Sequence, residues 1–241
     1  MNRKTRDKFA SGTQQADLNA GNACWETAPL IYAKLCDDFG PFDIDLTANA
    51  SNHLARRWFG PGSEIEEYDA LTASWTTYGK TGYSNPPYGD FLKQILAKAA
   101  AEAEAGFRST FLLPLRMTKI FRQCVFNGPV ERWLFPDKRL TFFENGVPRI
   151  NEKEWREHGR VLADPALFDS TILIFGPKSV CRSDGQVTGY LRPIADEWVV
   201  PKHVLKSDLE RAAEQRRERE RLEGSGAGVP EATAAETLAD A

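Results

Sequence analysis

Two adjacent prolines, Pro86 and Pro87, stand between a short apolar run and an amphipathic repeat. Proline has no backbone N–H and cannot continue a sheet ladder, so the strand signal Gly82-Tyr83-Ser84 must end at Asn85. A helix is expected from about Asp90, because Leu92, Ile95, Leu96 and Ala99 recur at i, i+3, i+4 and i+7, and Gly106 stops it. Phe111-Leu112-Leu113 then reads as a continuous buried strand. Strand, turn, helix and strand form a βαβ unit of parallel strands. Ligands of such sheets bind outside the carboxyl ends of the strands, which is where Asn85-Pro86-Pro87-Tyr88 falls. The expected fold class is α/β, a mostly parallel sheet flanked by helices.

The flanking sequence extends this pattern. Thr27 is expected to cap a helix with Pro29 in its first turn; Ile31, Leu35 and Phe39 recur four apart, and Gly40 ends it. Phe42-Asp43-Ile44-Asp45-Leu46-Thr47-Ala48 reads as a short strand followed by a loop. Further strands are expected at 132–135 and 171–175, and Asn145-Gly146 signals a hairpin. Residues 151–168 read as an irregular insertion. Ser207 and Glu210 have capping-box spacing and should open a charged helix over 207–222. The expected organisation is a flexible N-terminus at 1–20, one domain at 21–203, that helix, and a disordered Gly/Ala/Glu-rich tail at 224–241.

Composition removes several classes of function. No apolar run approaches the roughly 18–20 residues that cross a membrane, and the polar start Met1-Asn2-Arg3-Lys4 lacks a signal-peptide pattern. Cys24, Cys36, Cys124 and Cys181 are scattered without a CxxC, as expected of reduced cytoplasmic thiols. His53, His158 and His203 lie far apart, so no metal site is expected. The net charge of −3 hides an asymmetry: eight basic residues face three acidic ones between Phe107 and Arg149. A nucleic-acid surface needs a local basic patch of this kind, although a solvated face would look the same.

Asn-Pro-Pro-Tyr suits one chemistry in particular. The lone pair of adenine's exocyclic amine is delocalised into the ring, so the nitrogen is a poor nucleophile. Two acceptors that take the amine's hydrogens draw the lone pair back onto nitrogen. The Asn85 side-chain carbonyl can be one, and the Pro86 backbone carbonyl, aimed by a turn stiffened by Pro87, the other. Tyr88 can stack on the base. A sulfonium methyl donor needs no metal. Asn-Pro-Pro is also an ordinary turn, and its placement between strand and helix favours the catalytic reading.

An ordered series of short motifs extends the signal: Trp25-Glu26-Thr27, Phe39-Gly40, Phe42 to Asn49, Asp69-Ala70-Leu71, Trp75, Asn85-Pro86-Pro87-Tyr88, Leu112-Leu113-Pro114-Leu115-Arg116 and Lys138-Arg139-Leu140-Thr141-Phe142. Over about residues 24–178 the chain resembles the bacteriophage-type DNA N6-adenine methyltransferases. The resemblance implies a Rossmann-like fold and S-adenosylmethionine as cofactor; double-stranded DNA is the expected partner, with the adenine flipped out because Asn85 cannot reach a paired and stacked amine, and the cytoplasm of a bacterial host cell the expected compartment. The resemblance puts Trp25 and Thr27 beside the cofactor, Asp45 near its methionine part with Ala48, Asn49 and Asn85 in the same site, and Asp69 near its adenosine. Arg139 falls close to the base or a phosphate. Arg116, Lys119, Arg122 and Lys138 complete the basic stretch expected to contact DNA.

The residues leave other readings open. Trp25 could be a core aromatic, Asp45 a turn cap and Asp69 an N-cap, and Arg56-Arg57 suits a solvated face. The segment Asp45-Leu46-Thr47-Ala48-Asn49 lacks the glycines that let a backbone approach a cofactor closely, so modest affinity is expected. Another planar nitrogen, on RNA adenine or a glutamine side chain, fits the same tetrapeptide, and so does a silent nucleic-acid-binding protein.

Overall fold

The computed structural model describes residues 25–115, 119, 121–123, 128–136, 139–177, 193–194 and 202–224. The flexible N-terminus expected at 1–20 and the disordered tail expected at 224–241 lie outside these, Gly224 excepted, as do Arg116 and Lys138. The first helix, α1 (Pro29–Phe39), turns Ile31, Leu35 and Phe39 inward, as their spacing requires. Short strands β1 (Ile44–Asp45) and β2 (Arg57–Trp58) follow, then a 3-10 turn at Trp75–Thr77 and β3 (Thr81–Ser84). Next come α2 (Asp90–Glu104), β4 (Arg108–Pro114), β5 (Val130–Pro136) and the hairpin strands β6 (Phe143–Glu144) and β7 (Val147–Pro148). The helix α3 (Glu152–His158), β8 (Ser170–Phe175), β9 (Pro193–Ile194) and α4 (Lys202–Gly224) are the remaining described elements.

Among the described residues, seven strands form the main sheet in the order β2-β1-β3-β4-β8-β5-β9. The pairs β1–β2, β1–β3, β3–β4 and β5–β9 are parallel; β8 runs antiparallel to both its neighbours, β4 and β5. Both faces of the sheet are covered, which is why β4 and β8 read as unbroken apolar runs. Side chains alternate across the pleat. Phe111 and Leu113 of β4, with Leu173 and Phe175 of β8, pack with α2 through Ile95, Leu96 and Ala99. Leu112, Ile172 and Ile174 face the other way and pack with Ile31, Leu35 and Phe39 of α1. Each fully buried Leu, Ile or Phe contributes roughly 1.5–3 kcal/mol, so the two layers fix the sheet between them.

Three local details differ from the expectations. The residue preceding α1 is Ala28, which makes no side-chain cap; Pro29 alone starts the helix, and the Thr27 hydroxyl is used elsewhere. Residues 151–168 are not wholly irregular: Asn151 accepts the Glu154 N–H at 3.1 Å and caps α3, and Gly159 ends that helix in the left-handed region. The charged helix α4 begins at Lys202, so Ser207 lies inside it. Its Leu209 and Ala212 pack against Val147, Ile150, Trp155 and Val161, which explains why so polar a helix holds its place. The hairpin is as expected: Asn145 (φ 53°) and Gly146 (φ 73°) both take the positive φ that a tight two-residue turn demands.

Candidate active site

The parallel register brings the ends of β1 and β3 together, pairing Asp45 with Tyr83 and leaving Asn85 just beyond the last paired residue, Ser84. Between these ends opens a cleft lined by Trp25, Glu26, Thr27, Asp45, Thr47, Ala48, Asn52, Leu54, Tyr83 and Asn85. It lies at the carboxyl edge of the sheet, where strands diverge and loops can close around a ligand.

The orientation of the Asn85 amide follows from its partners. Nδ2 donates to the Trp25 carbonyl at 2.8 Å and to Thr27 Oγ1 at 3.1 Å. A backbone carbonyl can only accept, so the NH₂ end must face Trp25, and the Oδ1 end is turned away from both partners. Thr27 shares a further hydrogen bond of 2.6 Å with the Tyr83 hydroxyl. Burial pushes the Tyr83 phenol well above its ordinary pKa, so it stays protonated and the chain of hydroxyls is permanent at neutral pH. Below it, Thr47 and Ser84 share a 2.7 Å hydrogen bond that ties the ends of β1 and β3.

Asp45 caps its own loop and also faces the cleft. Its carboxylate accepts backbone N–H bonds from Thr47 at 3.3 Å and Leu54 at 3.2 Å, which shapes the loop. It also lines the cleft. A carboxylate has about four acceptor positions, so two remain for a ligand. Burial raises its pKa to about 6, against the opposing pull of those two N–H groups and of nearby His53.

A glycine outside the cleft shapes the loop that forms its wall. Gly60 has φ +142°, and a Cβ built there would lie 1.8 Å from the Ala48 carbonyl. The close backbone approach is therefore made from the β2 side of the loop, where a side chain at residue 60 would push Ala48 out of the cleft wall.

An aromatic group flanks the cleft. Phe168 stacks on Trp25 at 5.1 Å with an interplanar angle of 15°, and Phe142 packs on Trp25 at 5.2 Å. The Arg149 guanidinium sits 4.6 Å from the Trp25 ring, a cation–π contact. Tyr88 meets Phe168 edge to face at 5.9 Å. Glu26 accepts the Gly146 N–H at 2.9 Å, which pins the segment 25–27 to the hairpin. Trp25 thus serves in the core and at the cleft, and its indole Nε1 is buried without a hydrogen-bond partner.

The remaining candidates are distributed differently. Ala48 is in the cleft wall, whereas Asn49 is turned to Ser51, whose N–H it accepts at 2.8 Å; Asn52, three residues on, lines the cleft instead. Asp69 is not among the lining residues, and its carboxylate accepts the Leu71 N–H at 2.9 Å as the cap of its own turn. Pro86 is buried; Pro87 and Tyr88 are half-buried. Lys119 and Arg122 are exposed, as are Arg56 and Arg57. Arg139 is exposed too, with its guanidinium 3.8 Å from the Asp169 carboxylate. Among the described residues no three His, Cys, Asp or Glu side chains gather as metal ligands, and no helix is long and apolar enough to cross a membrane.

Sequence reasoning missed Thr47, Asn52, Leu54, Tyr83 and Phe168 as parts of the site. The first three lie in the loop after β1, and a loop at a strand's carboxyl end is itself a usable signal. Phe168 had none, because only the antiparallel entry of β8 brings it to Tyr88. No curated protein matches the chain. A model of the family described as DNA N-6-adenine-methyltransferase (Dam) matches residues 14–157, more than half of the chain and the whole of its first βαβ unit. With the Asn-Pro-Pro-Tyr turn at the sheet edge, the chain belongs to the DNA N-6-adenine-methyltransferase (Dam) family, enzymes that methylate adenine in DNA.

Proposed function

We propose that the protein methylates an adenine turned out of duplex DNA, that S-adenosylmethionine is the donor, and that the fold is Rossmann-like. The observation that carries this reading is the fixed amide of Asn85: both of its donor contacts are internal, so its acceptor end is the one offered to substrate. Oδ1 then takes one hydrogen of the adenine amine, and the Pro86 carbonyl takes the other. With both hydrogens engaged, the lone pair is returned to nitrogen. Tyr88 stacks on the base, its ring held by Phe168.

The cleft suits the donor. The Asp45 carboxylate offers its remaining lone pairs to an ammonium, Asn52 offers its amide NH₂, its oxygen being held by the Asn49 N–H, and Ala48, Leu54 and Trp25 offer apolar walls. When bound there, S-adenosylmethionine supplies a methyl group on a sulfonium. Asp69 and Asn49, which do not line the cleft, contribute less to this reading than Asp45 and Asn52, which do.

Thr27 acts through Asn85, as a positioning residue. It holds Nδ2 at 3.1 Å and is itself held by Tyr83 at 2.6 Å. Thr27→Val keeps the volume and removes the hydroxyl, and it should lower kcat by about 10- to 100-fold, because small displacements of a reacting group cost that much. S-adenosylmethionine affinity should be unchanged, and Thr27→Ser should restore turnover. Lost cofactor affinity with unchanged kcat would return Thr27 to the cofactor wall.

An adenine inside a duplex is stacked and paired, so Asn85 can reach its amine only after the base leaves the helix. 2-Aminopurine at the target position should therefore brighten on binding, and more so in Tyr88→Ala, which lacks the stacking ring. Phosphate contacts from the basic stretch, including Lys119, Arg122 and Arg139, should make affinity fall steeply with salt. Flat fluorescence in both proteins, with binding insensitive to salt, would contradict the extrusion of a base from duplex DNA.

A further inference from the structure

Because β8 runs antiparallel to β4, its first residue, Ser170, pairs with Pro114 at the carboxyl edge of the parallel strands. The segment entering β8 is thereby brought to the edge that carries Asn85. At its tip stands Leu167, 83% exposed and the most exposed large apolar side chain among the described residues. The chain on either side of it is fixed. Ala166 is buried and donates its N–H to the Leu140 carbonyl at 2.9 Å. Phe168 stacks on Trp25 and meets Tyr88 at 5.9 Å. The Asp169 carbonyl accepts the Leu115 N–H at 2.7 Å. A lone exposed leucine on a loose loop would need no explanation. This one is held out rigidly, one residue from the ring that orients the base-stacking tyrosine.

We infer that Leu167 is the wedge that enters the base stack as the target adenine leaves it. The inference rests on the reading that the adenine is extruded from a duplex. An emptied position in the stack exposes two base faces, and an aliphatic side chain fills it without desolvating a polar group. Proteins that unstack DNA use Leu, Ile, Phe or Met in this way. Arg139 stands beside the tip, paired with Asp169 at 3.8 Å. An exposed pair of that kind is weak, so its guanidinium exchanges readily to a flanking phosphate.

The test uses an oligonucleotide duplex with one adenine that the wild-type protein methylates, prepared with that adenine opposite thymine or opposite an abasic site. Leu167→Ala should lower kcat/KM by about tenfold or more on the paired duplex, where extrusion must be driven. On the abasic duplex, where the base is already loosened, the loss should be under about threefold. Leu167→Met should keep most of the wild-type rate on both. Melting temperature should be unchanged, since the side chain packs on nothing inside. Equal losses on the two duplexes, a loss confined to the abasic one, or no loss on either would overturn the wedge. Failure of the extrusion reading would look different: wild-type protein would methylate the paired duplex while 2-aminopurine at the target stayed dark.

Discussion

Asn85→Ala is expected to lower kcat by about 10²- to 10³-fold or more, the usual cost of removing one oriented polar group from a reacting centre. The substrate's amine would lose the acceptor that localises its lone pair, and nothing among the lining residues is placed to replace it. The fold should survive. The amide makes two hydrogen bonds, to the Trp25 carbonyl at 2.8 Å and Thr27 Oγ1 at 3.1 Å, and both partners border the cleft. Their loss should cost about 1–3 kcal/mol of stability, read as a modest fall in melting temperature. Asn85→Asp is the sharper companion. A carboxylate has no N–H for the Trp25 carbonyl and sets oxygen against oxygen there, so the side chain must swing away and its acceptor geometry is lost. Single-turnover methyl transfer with both variants checks this; wild-type rates in Asn85→Ala would remove the residue from the mechanism.

The affinity for S-adenosylmethionine should depend on pH through Asp45. Burial raises this carboxyl to about 6, so the free protein holds the proton more firmly than an ordinary aspartate does. A ligand bearing an ammonium prefers the ionised form. Just above pH 7 the carboxyl is already ionised while the ligand's ammonium keeps its proton, and affinity should be at its maximum. Below about pH 6 the ligand must displace a proton, and the dissociation constant should rise, approaching about tenfold per pH unit. The sign for folding is the reverse: with its folded pKa raised, this group contributes more stability as pH falls from 7 toward 5, and less as pH rises through 6. Asp45→Asn keeps the shape but cannot ionise. It should bind the cofactor about tenfold or more weakly at pH 7.5, since a charge-assisted hydrogen bond is worth roughly 1.5–3 kcal/mol, and should show no pH dependence between 5 and 7. Calorimetry on both proteins across that range is the measurement. A pH-independent affinity in the wild type would leave Asp45 as a loop cap only, the role its bonds to Thr47 and Leu54 already give it.

How much of this was legible in the sequence depended on the range of the interaction. Ile31, Leu35 and Phe39 announced α1, and Pro86-Pro87 announced the sheet edge, because helical periodicity and the missing proline N–H act within a few residues. Asn145-Gly146 announced its hairpin for the same reason. Thr27 was misread as a cap because its real partners, Tyr83 and Asn85, are far along the chain; a hydroxyl before a helix looks alike in both cases. Asp69 was drawn toward the cofactor by its place in a motif, whereas its geometry is that of a local turn. Phe168 and Leu167 were invisible, since their position follows from the direction of β8, and alternation or apolar length does not distinguish a parallel from an antiparallel central strand. The helix α4 was legible as a helix but not as a docked one, because its contact is a narrow seam of Leu209, Ala212 and Ala213 under a charged exterior.

The most direct test of the central claim supplies purified protein with unmethylated DNA and S-adenosylmethionine carrying an isotopic label in its methyl group. The DNA is then digested to nucleosides and separated by mass spectrometry, with Asn85→Ala run in parallel. Label is expected in N6-methyldeoxyadenosine alone, and at matched short times about a hundredfold less or lower with the variant. Label in another nucleoside, or equal label in N6-methyldeoxyadenosine from both proteins, would contradict an Asn85-centred adenine methyltransferase.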